Sequence, residues 1–147
     1  MNTPQFSSAS QLTPTQVAYL QNFAANGLGG RVLLGKLTGV NMNVTTDQAI
    51  TINSSNYIIR NIVVTNASIS LTTAVGGVYL APSKTIALVN NTQVYSSLAG
   101  SSSTIDLTLN VFATSSRGTV NTLYLSLTTP QGAAATADIY IFGDKLD

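Results

Sequence analysis

From Arg31 to the C-terminus the chain keeps a two-residue hydrophobic period, and this alternation limits the fold more than any other feature. Ile105, Leu107 and Leu109 alternate with Asp106 and Thr108, and Leu123, Leu125 and Leu127 with Tyr124, Ser126 and Thr128. Successive side chains of a strand point to opposite faces, so such runs describe strands with one dry and one wet side. The run Tyr57–Val64 is more continuously apolar and reads as a more deeply buried strand. Turn-forming clusters divide the pattern: Asn53-Ser54-Ser55-Asn56, Gly76-Gly77, Asn90-Asn91, Gly100-Ser101-Ser102-Ser103 and Pro130-Gln131-Gly132. Roughly nine strands are expected, at about 31–37, 48–52, 57–65, 68–73, 77–81, 84–89, 104–111, 122–129 and 136–142. No strong helical pattern follows residue 30, which excludes doubly wound α/β folds. The expected class is all-β: an antiparallel β-sandwich, jelly-roll-like at this length.

The first 29 residues read differently, as an arm preceding a sandwich domain over 30–147. Residues 1–12 are small and polar, without period. Thr13 then offers a helix cap, Pro14 suits a first helical position, and Gln16 completes a Thr-x-x-Gln capping box. Val17, Leu20 and Ala24 fall at helical spacing, with Tyr19 and Phe23 beside them, and Gly27 is a stop signal. A short helix over about 14–25 is expected, its apolar residues being candidate anchors for a neighbour.

Composition bears on chemistry. Histidine, cysteine, tryptophan and glutamate are absent from the 147 residues, and 7% are charged against about 25% in average proteins. Histidine is the usual near-neutral acid-base group and cysteine the strongest common nucleophile. Such a chain is better suited to making a surface than to running a reaction. Its net charge of +1 gives little self-repulsion, which favours association. The six basic residues Arg31, Lys36, Arg60, Lys84, Arg117 and Lys145 are scattered, so no nucleic-acid partner is expected. No apolar run approaches the roughly 18 residues of a spanning helix, so no membrane partner is expected either. The opening MNTPQFSSASQL lacks the basic and apolar regions of a secretory signal. No cofactor and no metal are expected.

Individual motifs point the same way. Gly30-Arg31-Val32-Leu33-Leu34-Gly35-Lys36-Leu37 matches a phosphate-binding loop until Leu37 stands where a magnesium-binding hydroxyl is needed. The stretch is strand-like and no helix follows it, so it reads as a first strand. Asp47, Asp106, Asp138, Asp144 and Asp147 read as solvated surface carboxylates, although a hydrolytic pair converging in space is the alternative. Four Asn-x-Ser/Thr sequons, at Asn43, Asn53, Asn66 and Asn90, mean little without a secretory signal. Tyr79, Tyr95, Tyr124 and Tyr140 fall in or beside strands, where packing is their ordinary use and stacking on sugar rings the alternative. Arg60 is the single charge in the most apolar strand, on the face of Ile58, Ile62 and Val64, and suggests a half-buried ion pair or an interface contact.

Five stretches carry a resemblance. Tyr57–Ser68 with Leu71–Tyr79, the ending Thr122–Asp144, and the segments Leu20–Ala24 and Gly27–Val32 resemble virion structural proteins of tailed bacteriophages. The resemblance spans most of the chain and contains no catalytic signature. It implies a capsid decoration (cement) protein, or a head-fibre, spike or tail-associated subunit. The implied partners are further copies of the chain, as a homotrimer, and the major capsid protein or other virion proteins. The implied location is the virion surface after synthesis in the host cytoplasm. Val17, Tyr19, Leu20, Phe23 and Arg60 are the expected assembly contacts. A receptor- or glycan-binding domain of a fibre or spike is the alternative.

Overall fold

The structure, a computed structural model, describes residues 14–15 and 31–147. Pro14 and Thr15 are helical and exposed. Val17, Tyr19, Leu20 and Phe23, with the rest of the expected arm, lie outside the described residues. The strands are β1 (Val32–Asn41), β2 (Gln48–Thr51), β3 (Tyr57–Thr65), β4 (Val75–Ala81), β5 (Thr85–Val89), β6 (Thr104–Asp106), β7 (Thr122–Thr129) and β8 (Thr136–Lys145). One short helix, α1 (Val111–Ser115), lies between β6 and β7.

Two four-stranded antiparallel sheets result, ordered β1-β8-β3-β6 and β2-β7-β4-β5. Strand 1 pairs with 8, 2 with 7, 3 with 6 and 4 with 5, as though one long hairpin had been rolled into two layers. The lateral pairs β3–β8 and β4–β7 complete the sheets. This is the jelly roll, so the expected all-β sandwich is the fold. The alternation explains it: Leu123, Leu125 and Leu127 of β7, with Ile139 and Ile141 of β8, are fully buried between the layers.

The expected strand at 68–73 does not form. Leu71 is buried, but its N–H bonds the Leu98 carbonyl, and the N–H groups of Thr73 and Ala74 bond the Gln131 side chain. The backbone is satisfied by loop partners rather than by a ladder. The expected strand at 104–111 is split. Leu107 still donates to Ile62 of β3, whereas Leu109 bridges Val89 of β5 and the Asn110 N–H bonds Leu88. The segment crosses from one sheet to the other. Helix α1 follows, unforeseen because Val-Phe-Ala-Thr-Ser has weak helix propensity. Its buried Ala113 and the packing of Phe112 on the core hold it in place.

The opposite flank is closed in the same manner. Gly35 of β1 bridges Ile52, the Asn53 N–H donates to the Leu34 carbonyl at 2.8 Å, and its side-chain amide donates to Leu33. A Cβ at Gly35 would overlap the Thr51 carbonyl, so this glycine serves close strand approach and not phosphate binding.

Tyr57 ties the two layers together. Its ring is fully buried, its hydroxyl donates to the Val120 carbonyl at 2.7 Å, and its backbone exchanges two hydrogen bonds with Gly118. Burial raises the phenol to about 12. Tyr57→Ala is expected to cost about 3–5 kcal/mol, as large aromatic truncations do. Tyr57→Phe keeps the ring and should cost about 1 kcal/mol. Urea denaturation checks both values. An unfolded tyrosine releases its proton near pH 10. The folded Tyr57 keeps its proton above that point, so its contribution is complete below pH 10 and declines as pH rises toward 12. Tyr57→Phe should therefore lessen the alkaline loss of stability in melts taken from pH 9 to 12.

Candidate interaction surface

β8 sends Ala137, Ile139, Ile141 and Gly143 into the core and turns Asp138, Tyr140, Phe142 and Asp144 outward. Neighbouring strands supply matched rows. Lys36, Tyr140, Val63 and Asp106 stand in one row across β1, β8, β3 and β6, and Leu33, Phe142 and Asn61 in the next. At roughly 4.8 Å between strands, a four-strand row is about 15 Å across. Tyr140 and Phe142 lie with ring centroids 6.5 Å apart and planes 23° from parallel. Leu33 is 38% exposed beside them, and Val63 is half-buried. Polar groups frame the rings: Arg31 donates to Asn61 at 3.2 Å, and Asn61 reaches Asp106 at 3.4 Å.

Arg60 belongs to this outer face, but not as its alternation suggests. The β3–β8 register shifts between Ile59 and Asn61, a bulge that inserts one residue. Tyr57 and Ile59 point inward before it, and Ile62 and Val64 after it, so Arg60 does not share their face. Its guanidinium Nε donates to the Asp144 carboxylate at 2.8 Å, with both side chains partly exposed. The expected ion pair is present, and its partner is a residue that sequence alone does not single out.

The outer face of the second sheet is covered by its own chain over Tyr79 and Ser126, while Ala49, Thr51 and Thr128 on it are exposed. Tyr79 pairs with Tyr124 on that face, yet Tyr79 is only 3% exposed and Ser126 has no exposure. The β1–β2 loop reaches over them, with Ser126 Oγ bonded to the Thr45 carbonyl. The β4–β5 turn is drawn in by the same loop. Asp47 accepts the Ser83 N–H at 2.7 Å, and Lys84 Nζ donates to Thr45. Ser83 and Lys84 both have positive φ, a turn geometry that usually selects Asn-Gly. Asp47 supplies the hydrogen bond that holds this less favourable pair. That N–H, with help from Ser126 and the Lys84 charge, pulls the Asp47 carboxyl below its ordinary value.

The other carboxylates are tethers as well, more engaged than the expected solvated groups. Asp138 accepts from Gly39 and Asn66, and Asp147 from Ser54 and Ser55. The Ser55 and Ser54 donors lower the Asp147 carboxyl. Each of the five has its own donors, those of Asp106 and Asp144 being the adjacent β3 residues Asn61 and Arg60. Among the described residues no group of three or more acidic, histidine or cysteine side chains converges, and no helix is long and apolar enough to cross a membrane.

Of the four tyrosines considered for stacking, Tyr95 is core, its hydroxyl bonded to Gly76, and Tyr79 is covered. Tyr124 and Tyr140 reach the surface. Phe142 and Leu33 were not singled out from sequence. The outward phase shared by Tyr140 and Phe142 was the available signal. Compared with family models, curated proteins and solved structures, the chain matches none.

Arg60→Ala and Asp144→Ala, taken through a double-mutant cycle, should couple by about 0.2–1 kcal/mol and less in high salt. Acid titration tests Asp47. A depressed carboxyl contributes stability above its unfolded value near 3.9, and this is lost as pH falls through the folded value. Asp47→Asn should lower stability at pH 7 and make the melting temperature fall less between pH 5 and pH 2.

Proposed function

We propose that the chain is a structural protein of a tailed-bacteriophage particle, a decoration protein that assembles on the capsid surface as a closed homotrimer. The observation that carries the reading is the contrast between the two outer faces. One has its aromatic Tyr79 and its Ser126 roofed by its own loop, and the other presents Leu33, Val63, Tyr140 and Phe142 within a polar frame. Buried aromatic anchors with a polar rim are the usual make-up of a protein interface. The low charge, the jelly roll and the sequence resemblance support the same reading. The major capsid protein or other virion proteins are the partners, and residues 1–29 with Arg60 contribute to the contacts.

A second reading is a receptor- or glycan-binding domain of a fibre or spike. The Tyr140–Phe142 pair beside Asn61 and Asp106 favours it, because sugars stack on rings and bond to flanking amides and carboxylates. Jelly rolls serve in both capsids and lectins.

Copy number on purified virions separates the two. Decoration predicts hundreds of copies by quantitative gel, and a fibre or spike predicts a handful. For the recombinant chain, light scattering should give a trimer. The double variant Tyr140→Ala/Phe142→Ala should weaken association at least about 30-fold, corresponding to about 2 kcal/mol. A monomer that binds a glycan array would favour the second reading.

A further inference from the structure

The flank that carries α1 has an apolar shoulder that the core does not use. Val111, the first residue of α1, is the most exposed large apolar side chain among the described residues, at 83%. Asn110 before it is bonded to Leu88 and, through its side-chain amide, to Ala87, which sets Val111 beside the Ile86 end of β5. Ile86 is 56% exposed and has a φ of 59°. A β-branched residue in the left-handed region is strained. Core packing does not account for that strain, because Ile86 lies outside the buried cluster.

Arg117 completes the shoulder. It is exposed, and its position is fixed on both sides: Ala113 of α1 is buried, and Gly118 exchanges two backbone hydrogen bonds with Tyr57. Among the described residues Arg60–Asp144 is the one ion pair, so Arg117 has no carboxylate partner there. The open face of the first sheet has the converse character. Its rings lie between Lys36 at the β1 margin and Asp106 at the β6 margin. Asp106 is exposed, and the donor that reaches it is the neutral amide of Asn61. One surface thus sets aliphatic groups beside an unpaired cation, and the other sets rings beside an unpaired anion.

We propose that the open face of one copy packs on the α1 shoulder of the next, Val111 and Ile86 against the Tyr140–Phe142 rings and Arg117 against Asp106. This contact rests on the reading of the chain as a closed oligomer and names its second surface. A closed trimer repeats one contact between two different patches, and it closes when the rotation between them completes a circle. The face points outward from the first sheet, and the shoulder lies on the β6–β5 flank. Such adjoining sides supply a rotation that patches on opposite sides lack. Apolar contact at the centre with complementary charge at the margin suits a specific interface. The pinned shoulder loses little freedom on binding.

Val111→Asp should weaken trimer formation by the full-length chain at least about tenfold in a light-scattering dilution series. Val111 is exposed, so the urea midpoint should stay that of the wild type. Arg117→Asp and Asp106→Arg should each weaken association several-fold. The chain carrying both should return to within about threefold of wild type, since every contact regains an opposite pair. Single reversals without effect, or a double variant as weak as the two losses multiplied, would overturn the inference. Val111→Asp that still forms trimers like the wild type would also overturn it, while leaving the proposed function standing. A wild-type chain that stays monomeric at high concentration would overturn both.

Discussion

The structure depends on how its two sheets are joined at their flanks. An ordinary sandwich leaves four edge strands with unpaired N–H and C=O groups, which invite pairing with other chains. Here the chain crosses between layers at both sides and uses much of that capacity itself. On one flank Gly35, Ile52 and Asn53 link β1 to the end of β2, and on the other Leu109 and Asn110 link β6 to β5. With 7% charged residues and no glutamate, the protein has few edge charges with which to discourage pairing. Backbone stitching performs the protective task that charge performs elsewhere.

That constraint shapes the outer surfaces. With the edges engaged, contacts with other molecules fall to the faces and ends of the roll. The second sheet is covered in part, over Tyr79 and Ser126, by the Thr45–Asp47 loop and the Ser83–Lys84 turn, held by Asp47 and Ser126. The first sheet keeps its rings and its Arg60–Asp144 pair at the surface. Carboxylates are spent on tethers: turn, loop, bulge and C-terminus each have one. The function proposed for the chain follows from this division between a closed framework and an open face.

The sheet pattern was legible because the period-two alternation in β7 and β8 persists for whole strands, and burial decides it. Misreadings occurred where a backbone group found a partner that the pattern cannot show. Leu71 alternates with polar neighbours as a strand residue would, yet it is buried from a loop. Of residues 104–111, only Thr104–Asp106 form the expected strand, and Leu109 and Asn110 bond to the other sheet. At Arg60 a bulge shifts the phase by one residue, and no alternation rule anticipates it. Helix α1 forms on tertiary packing despite weak propensity. In the candidate surface, Arg60 was visible as an isolated charge. Phe142 and Leu33 look like core residues until the register places them outside.

The most direct test is a side-chain-resolution reconstruction of the assembled protein, on the virion or as recombinant oligomer. The account predicts a partner chain lying over Leu33, Tyr140 and Phe142, with the edges of β1 and β5 free of strands from other molecules. A continuous sheet running between subunits through either edge would contradict it.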